Sequence, residues 1–410
     1  MYATPPPCVM IPEIRQQYNQ SFTEEKYRLF LQDLDTSFQT PISFRVAESP
    51  VFIPSGLKKH IFAACDDIID FLLDNNIREL TKNAIPPHLL VPAEDAHTTF
   101  LGIDFAICRA ENGELVPQLI ELQGFPSLFA YQDFLTHKYR QHFAVPDNFS
   151  HLFSGLNPET YRQRLKKILL GNYQPENVIL LEIEPYKQNT AIDFIVTEHY
   201  TGIKPVCITE VIREGNKLFY LRNGVKTPIY RIYNRIIFDE FTQRTDLQCQ
   251  FHLTEEVEVE WAGHPNWFMR ISKYIMPFMN SPYIPQCRFL GNFEQFPTDL
   301  DNYVLKPLFS FSGSGVIFNP TQADIDAIPL QERNNFMLQK KVQYEPVVQT
   351  TDGGLVKTEI RIMYFWEPGL PRPEKVISLA RFSRADLIGV KYNKNKTWVG
   401  GSVALFETDI

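Results

Sequence analysis

The chain lacks any cysteine or histidine arrangement suited to a soft metal. Its six cysteines, Cys8, Cys65, Cys108, Cys207, Cys249 and Cys287, include no CxxC pair. That scatter argues for reduced thiols rather than a disulfide framework or a zinc site. Its nine histidines form no HxH or HxxxH pair. No run of about 18 apolar residues occurs, so no transmembrane helix is expected. The opening Met1-Tyr2-Ala3-Thr4-Pro5-Pro6-Pro7 lacks the basic and then apolar segments of a secretory signal. A cytoplasmic location and no membrane partner follow as expectations. Basic residues are outnumbered, 40 Lys and Arg against 48 Asp and Glu, for a net charge of −8. That balance argues against a nucleic-acid partner, which would need a basic face. There is no internal repeat and no low-complexity tract.

What is present is ordinary globular material, 44% hydrophobic and 21% charged. Aromatics reach 13%, with 32 phenylalanines, enough for a large core. A chain of 410 residues exceeds one simple core, and two or three packed domains are expected. Composition and pattern place boundaries near residues 95, 150 and 262. The first region reads as helical. Ser21 and Glu24 have capping-box spacing ahead of Tyr27, Phe30 and Leu34. Ile61, Cys65, Ile68, Ile69 and Leu72 recur at helical spacing. Thr99–Ile107 is an apolar strand, and the Asn112-Gly113 turn returns it through Leu119–Leu122 as a hairpin. Asn157-Pro158 opens a helix that ends at Gly171. Strands at 178–183 and 206–211 flank a helix at 192–196, which argues a small α/β layer. Asn223-Gly224 predicts a second hairpin, joining 218–221 to 229–233.

Several residues could carry chemistry. Asp104, Glu121 and Gln123 place oxygen donors on paired strands, a set suited to Mg²⁺. Glu121 and Gln123 alternate by two and share a face. Lys306 ends the strand Tyr303-Val304-Leu305-Lys306-Pro307, just before the loop Ser310-Phe311-Ser312-Gly313-Ser314-Gly315. Such a lysine presents a point charge to phosphate, and glycine lets backbone N–H groups approach it. No P-loop GK[ST] is present; a surface turn beside a solvated lysine is the plainer alternative. Lys273 precedes a helix. The strand 336–342, with Gln339, Lys340, Lys341 and Val342, leads into a linker whose backbone could read an adenine edge. Glu359 and Arg361 share a strand face and could form a surface ion pair, or Arg361 could meet charge on a phosphoryl group. Lys187, Gln188, Asn189, Asp193, Arg231, Asn234 and Arg235 are the polar residues of the middle layer. Arg235 sits in an apolar run, where an ion pair to Asp239 or Glu240 would also explain it.

Taken together, these motifs and their order resemble the ATP-grasp superfamily, in its circularly permuted branch typified by eukaryotic-type glutathione synthetase. Asp104 with Gln118–Gln123 and Ser127-Leu128-Phe129 is similar to the family's metal hairpin. Tyr303–Pro307 is similar to its phosphate-binding strand, 336–342 to its adenine hinge, and Thr358-Glu359-Ile360-Arg361 to the strand that follows. Trp398-Val399-Gly400-Gly401-Ser402 resembles its small-residue substrate loop.

The resemblance implies an α+β, circularly permuted ATP-grasp fold with an inserted α/β substrate layer. Residues 1–95 would be a helical region, 96–150 the metal hairpin, 151–262 the substrate domain and 263–410 the nucleotide domain. It implies an ADP-forming carboxylate–amine ligase, glutathione synthetase-like, acting on an amino acid or small peptide through an acyl phosphate, with ATP and Mg²⁺ as cofactors. Asp104, Glu121 and Gln123 would hold the metal. Lys273, Lys306, the 312–315 loop, Gln339–Val342 and Glu359 would hold the nucleotide. Arg361 and Arg381 would act on the transferred phosphoryl group, and Arg235, Asn189, Gly400 and Gly401 would meet substrate. The loops at 310–315 and 398–403 would close as lids. Two departures stand out. The family's hairpin reads Glu-x-Asn where this chain has Gln123, and its glutamate after the Lys-Pro step is replaced by Leu308-Phe309-Ser310. An ATP-binding module without catalysis, or a small-molecule kinase on this fold, are the alternative readings. Oligomeric state is left open.

Overall fold

The computed structural model describes residues 9–74, 76–309, 315–385, 393 and 395–408. The N-terminal region is helical, as its spacing predicts, through α1 (Pro12–Ser21), α2 (Glu24–Ser37) and α3 (Ser55–Asp74). The capping residue differs from expectation. Ser21 closes α1, and Thr23 caps α2 by accepting the Lys26 N–H at 3.2 Å. Helix α3 buries Ile61, Cys65, Ile68, Ile69 and Leu72 and leaves Asp67 and Asp70 exposed.

The Asn-Gly hairpin joins β1 (Phe100–Arg109) to β2 (Leu115–Gln123), with Gly113 at φ 86°. Helix α4 (Phe129–His142) follows, and α5 (Pro158–Leu170) starts at the Asn157 cap and stops at Gly171, φ 58°. A small α/β layer comes next: β3 (Val178–Glu182), α6 (Ala191–Thr201), β4 (Lys204–Cys207), β5 (Arg231–Asn234) and β6 (Glu260–Ala262). Its four strands lie in the order β6-β5-β3-β4, all parallel. Strand β3 is buried throughout, as a parallel strand covered on both faces requires.

Two details of this layer depart from the sequence pattern. The strand expected over 206–211 gives way at Ile208 to a 3₁₀ turn. The Asn223-Gly224 turn joins Lys217–Arg222 to Val225–Ile229, but 231–233 leaves that hairpin for the parallel sheet. Every residue of β5 is buried, so its apolar run gains more there than in a solvated hairpin.

The last part of the chain forms two sheets. Strands β7 (Cys287–Phe289), β8 (Tyr303–Pro307), β9 (Ile317–Phe318) and β10 (Phe336–Lys340) pair antiparallel in the order β7-β10-β8-β9. A separate small core of Leu290, Leu305, Ile325 and Leu338 supports them. Strands β11 (Leu355–Phe365), β12 (Glu374–Ser383) and β13 (Gly400–Ser402) return to the first hairpin. Together they give a six-stranded sheet ordered β13-β12-β11-β1-β2, with Pro346–Gln349 pairing beside β11. Helices and mostly antiparallel sheets thus make an α+β protein. Among the described residues no helix is long and apolar enough to cross a membrane.

Candidate functional site

A row of charge crosses one face of the six-stranded sheet. The register sets Glu121 opposite Asp104, Asp104 opposite Arg361, and Glu359 opposite Arg381. Glu359 and Arg361, two apart on β11, point the same way. Arg361 reaches Asp104 through two hydrogen bonds, Nη2 to Oδ2 at 2.6 Å and Nε to Oδ1. Arg381 donates to Asp104 Oδ2 at 3.0 Å and to Glu359 Oε1. The Tyr344 hydroxyl donates to Glu359 Oε2 at 3.1 Å. Asp104, Glu359 and Arg361 are buried. Buried carboxylates persist where opposite charge and hydrogen bonds offset their lost hydration. Gly102 makes room for this pairing, because a Cβ there would lie 3.3 Å from the Arg361 Cδ.

The electrostatics follow from the packing. Burial pushes the Glu359 carboxyl up, and Asp104 adds to that while Arg381 and Arg361 oppose it. Burial works against the charge on Arg381, but Glu359, Asp104 and Glu121 together outweigh it and raise its pKa.

The second part of the site comes from β8 and β10. Lys306 Nζ donates to Gln339 Oε1 at 2.8 Å. Burial lowers the Lys306 pKa to about 8; Lys273 adds to the shift, while Glu121 and Glu359 oppose it. Glu121, from the first third of the chain, and Lys306, from the last, therefore act on each other electrostatically. Lys273 is buried at the start of a 3₁₀ turn, Lys273–Phe278, capped by the Ser272 side chain. The segment before it lies directly on the end of β2. Gly124 donates its N–H to the Ile271 carbonyl at 2.8 Å, and a Cβ at Gly124 would fall 2.5 Å from the Trp267 carbonyl. Only glycine permits that approach. Between these elements opens a small cleft, lined on its polar side by Glu121, Gln123, Ser272 and Lys273.

The other sequence candidates fall in several places. Ser312, Gly313 and Ser314 lie outside the described residues, and Gly315 follows at φ 70°. Gln339 is buried behind Lys306, whereas Lys340 is exposed and Val342 is partly buried. The backbone N–H groups of Lys340 and Lys341 already donate to Gln286 at 2.8 Å and Asn302 at 2.9 Å. The Lys341 side chain bonds the Asp301 carbonyl and Asn319. Glu359, expected beside nucleotide, is held by Arg381 and Tyr344. Asp104, expected as a metal ligand, gives both its oxygens to arginine.

In the middle layer, the ion-pair partner of Arg235 is Asp193, at 2.7 Å. Asp193 also accepts the Leu128 N–H at 3.2 Å and the Tyr131 N–H at 3.0 Å. The pair thus ties the parallel layer to the chain leaving β2. Asn189 is exposed, and its carbonyl accepts from Ser43. Gly400 and Gly401 belong to β13 rather than to a lid. Gly401 donates to the Arg45 carbonyl at 2.9 Å and accepts from Ala47 at 2.8 Å, so the strand is held on both edges. Trp398 beside it is 2% exposed.

The structure also adds residues that sequence reasoning passed over. Tyr344, whose hydroxyl bonds Glu359, sits in the linker after β10. Glu182 is buried at the end of β3, and burial pushes its pKa up to about 8 against the Ile183 N–H and Arg235. A carboxylate within the apolar run Val178–Ile183 was the available signal.

The fold is similar to that of a solved glutathione synthetase-like effector from Globodera pallida, in its apo form. The match covers 98% of this chain and 100% of that one, with a TM-score of 0.59 and 11% sequence identity. No protein-family model and no curated protein sequence matches this chain. A glutathione synthetase-like fold is therefore shown by structure, over nearly the whole chain, at an identity that speaks for the fold alone.

Proposed function

We propose that the protein is an ATP-dependent, ADP-forming carboxylate–amine ligase on a circularly permuted ATP-grasp fold, glutathione synthetase-like and acting on an amino acid or small peptide. The observation that carries this reading is that Glu121 and Lys273, from distant parts of the chain, line one cleft, with both bearing electrostatically on the buried Lys306. Two lysines beside one carboxylate suit a polyphosphate that brings its own cation.

In this reading Lys273 and Lys306 bind the ATP phosphates as point charges. Glu121 with Gln123 are the cleft oxygens that fit Mg²⁺, which is commonly held by one or two carboxylates together with phosphate oxygens and water. Asp104 does not fit that role, because arginines occupy it. Bound Mg²⁺ would neutralise phosphate charge. Substrate carboxylate oxygen attacks the γ-phosphorus, and the bond to the β-phosphate oxygen breaks, releasing ADP. The amine then attacks the acyl carbon, phosphate leaves, and the amine loses a proton. The chain's own task is positioning and charge stabilisation. In this reading Arg381, paired yet 39% exposed in its side chain, would meet the phosphoryl group. Arg361, bound twice to Asp104, holds the row in place.

A second reading, nucleotide binding without turnover, is favoured by one observation: Asp104 is sealed by Arg361, and no carboxylate follows Pro307 in Leu308-Phe309. Purified protein with Mg-ATP, pooled acids and pooled amines separates the two. Phosphate release that needs both acid and amine supports the ligase. ATP binding without release supports the binder, and phosphate retained on one acceptor identifies a kinase.

A further inference from the structure

Strands β8 and β10 carry two unlike faces. Leu305 and Leu338 belong to the small core that supports the sheet. Val304, Lys306, Met337 and Gln339 lie on the other face, since residues two apart in a strand share a side. Strand β7 continues those rows, with Cys287 beside Gln339 and Phe289 beside Met337. Phe289 packs on Tyr274 and Phe278 of the turn that begins at Lys273, with ring centroids 5.2 and 5.3 Å apart. This face therefore meets the segment that carries Lys273. Its residues are largely apolar and buried, with Met337 at 0% and Val304 at 4% exposure, yet Gln339 among them is 2% exposed. A buried amide in an apolar row loses hydration, and the unbranched methionine would fill the same place without that loss. The bond that offsets the loss goes to the lysine. Val304 stands opposite Gln339, so Lys306 is its diagonal neighbour, within reach of two long side chains. Lys306 Nζ donates to Gln339 Oε1 at 2.8 Å.

We propose that Gln339 is a positioning residue, which holds the Lys306 ammonium ready for phosphate and does not itself touch nucleotide. This rests on the nucleotide site of the ligase reading. Lysine has donors only, so the amide must face it with its oxygen, and that fixes which way the Gln339 side chain is turned. An ammonium carries three N–H groups; Oε1 takes one and leaves two for phosphate. The lysine stem is long and flexible, and a stem already held by Gln339 loses less freedom when phosphate arrives. Glu121 and Lys273 both act electrostatically on the same ammonium, so the held charge is one that the cleft residues sense.

The test is a double-mutant cycle on the full-length protein, read by titration calorimetry with Mg²⁺ and a non-hydrolysable ATP analogue. Gln339→Met should weaken the analogue about tenfold, the scale of one hydrogen bond to a charged group. In a Lys306→Met background the same change should weaken it by no more than about twofold further, because a residue that acts through Lys306 then has nothing to act on. A residue that only supported the strand would cost the same in both backgrounds. Equal losses in the two backgrounds, or a Gln339→Met protein that binds as the native one does, would overturn the proposal and leave the ligase reading standing. Lysine side-chain ¹⁵N NMR of the native protein supplies a measurement that does not need the Gln339 variant to fold. The Lys306 ammonium signal, assigned by its loss in Lys306→Met, should persist at mildly acid pH because the bond to Gln339 slows proton exchange. A signal lost to rapid exchange would overturn the proposal. Failure of the analogue to bind the native protein would overturn the ligase reading, and this role with it.

Discussion

Arg361 and Asp104 stand directly opposite one another on adjacent strands and share two hydrogen bonds, Nε to Oδ1 and, at 2.6 Å, Nη2 to Oδ2. They come from positions 257 residues apart. The pair locks the first hairpin to the last part of the chain. Truncating one partner would leave the other charge buried and alone. Arg361→Ala should lower unfolding free energy by about 3–5 kcal/mol, whereas the double change Arg361→Leu with Asp104→Leu should cost much less. Urea unfolding of the three proteins checks this.

Lys306 should set the pH range of nucleotide binding. Its pKa lies at about 8 instead of 10.5, because burial and Lys273 disfavour the charge. Protonated lysine binds phosphate, so affinity should be full below about pH 8 and fall above it. Lys306→Arg should remove that fall, and Lys306→Met should weaken binding at every pH. Titration calorimetry with an ATP analogue from pH 6.5 to 9.5 reads all three. The linkage runs the other way for stability. Between about pH 8 and 10.5 the unfolded chain holds a proton that the folded lysine has released, so the unliganded fold gains stability from this group as pH rises.

Removal of divalent metal should separate Glu121 from the lysines. With EDTA present, analogue affinity should drop in the native protein. Glu121→Gln should show a smaller metal-dependent gain than the native protein, and Asp104 substitutions that preserve the fold should keep that gain. Calorimetry with and without Mg²⁺ measures the difference.

Gly124→Ala should injure the cleft. The added methyl would fall 2.5 Å from the Trp267 carbonyl, so the segment carrying Lys273 must move. Overpacking of this kind costs about 1–3 kcal/mol. Nucleotide affinity should fall together with thermal stability, and a variant that binds normally would contradict the placement.

Arg235→Ala tests a structural role. Arg235 and Asp193 are 4% and 0% exposed in their side chains, which marks a tether between layers. The variant should lose about 3–5 kcal/mol of stability, while KM for the acid substrate changes little in the protein that remains folded. A large KM effect with normal stability would return Arg235 to the site.

Local elements were legible in the sequence because their causes are local. Asn112-Gly113 and Asn157-Pro158 are turn and cap chemistry, and the α3 spacing is periodic burial. The order of the acidic and basic motifs carried the fold resemblance for the same reason. What the sequence could not show was which partner each charge would take. Asp104 reads as a ligand when seen beside Glu121 and Gln123, yet strand register gives it to Arg361 and Arg381. Gly400-Gly401 reads as a mobile loop, yet the 45–47 segment binds one of its edges and β12 the other. Arg235 finds Asp193 across the layer rather than a neighbour in sequence. Composition and spacing set helices, turns and the presence of acidic and basic groups, because those depend on a few adjacent residues. The pairing of buried charges and the apolar wall beside Lys273 depend on strand order and on distant segments meeting, and only tertiary structure decides those.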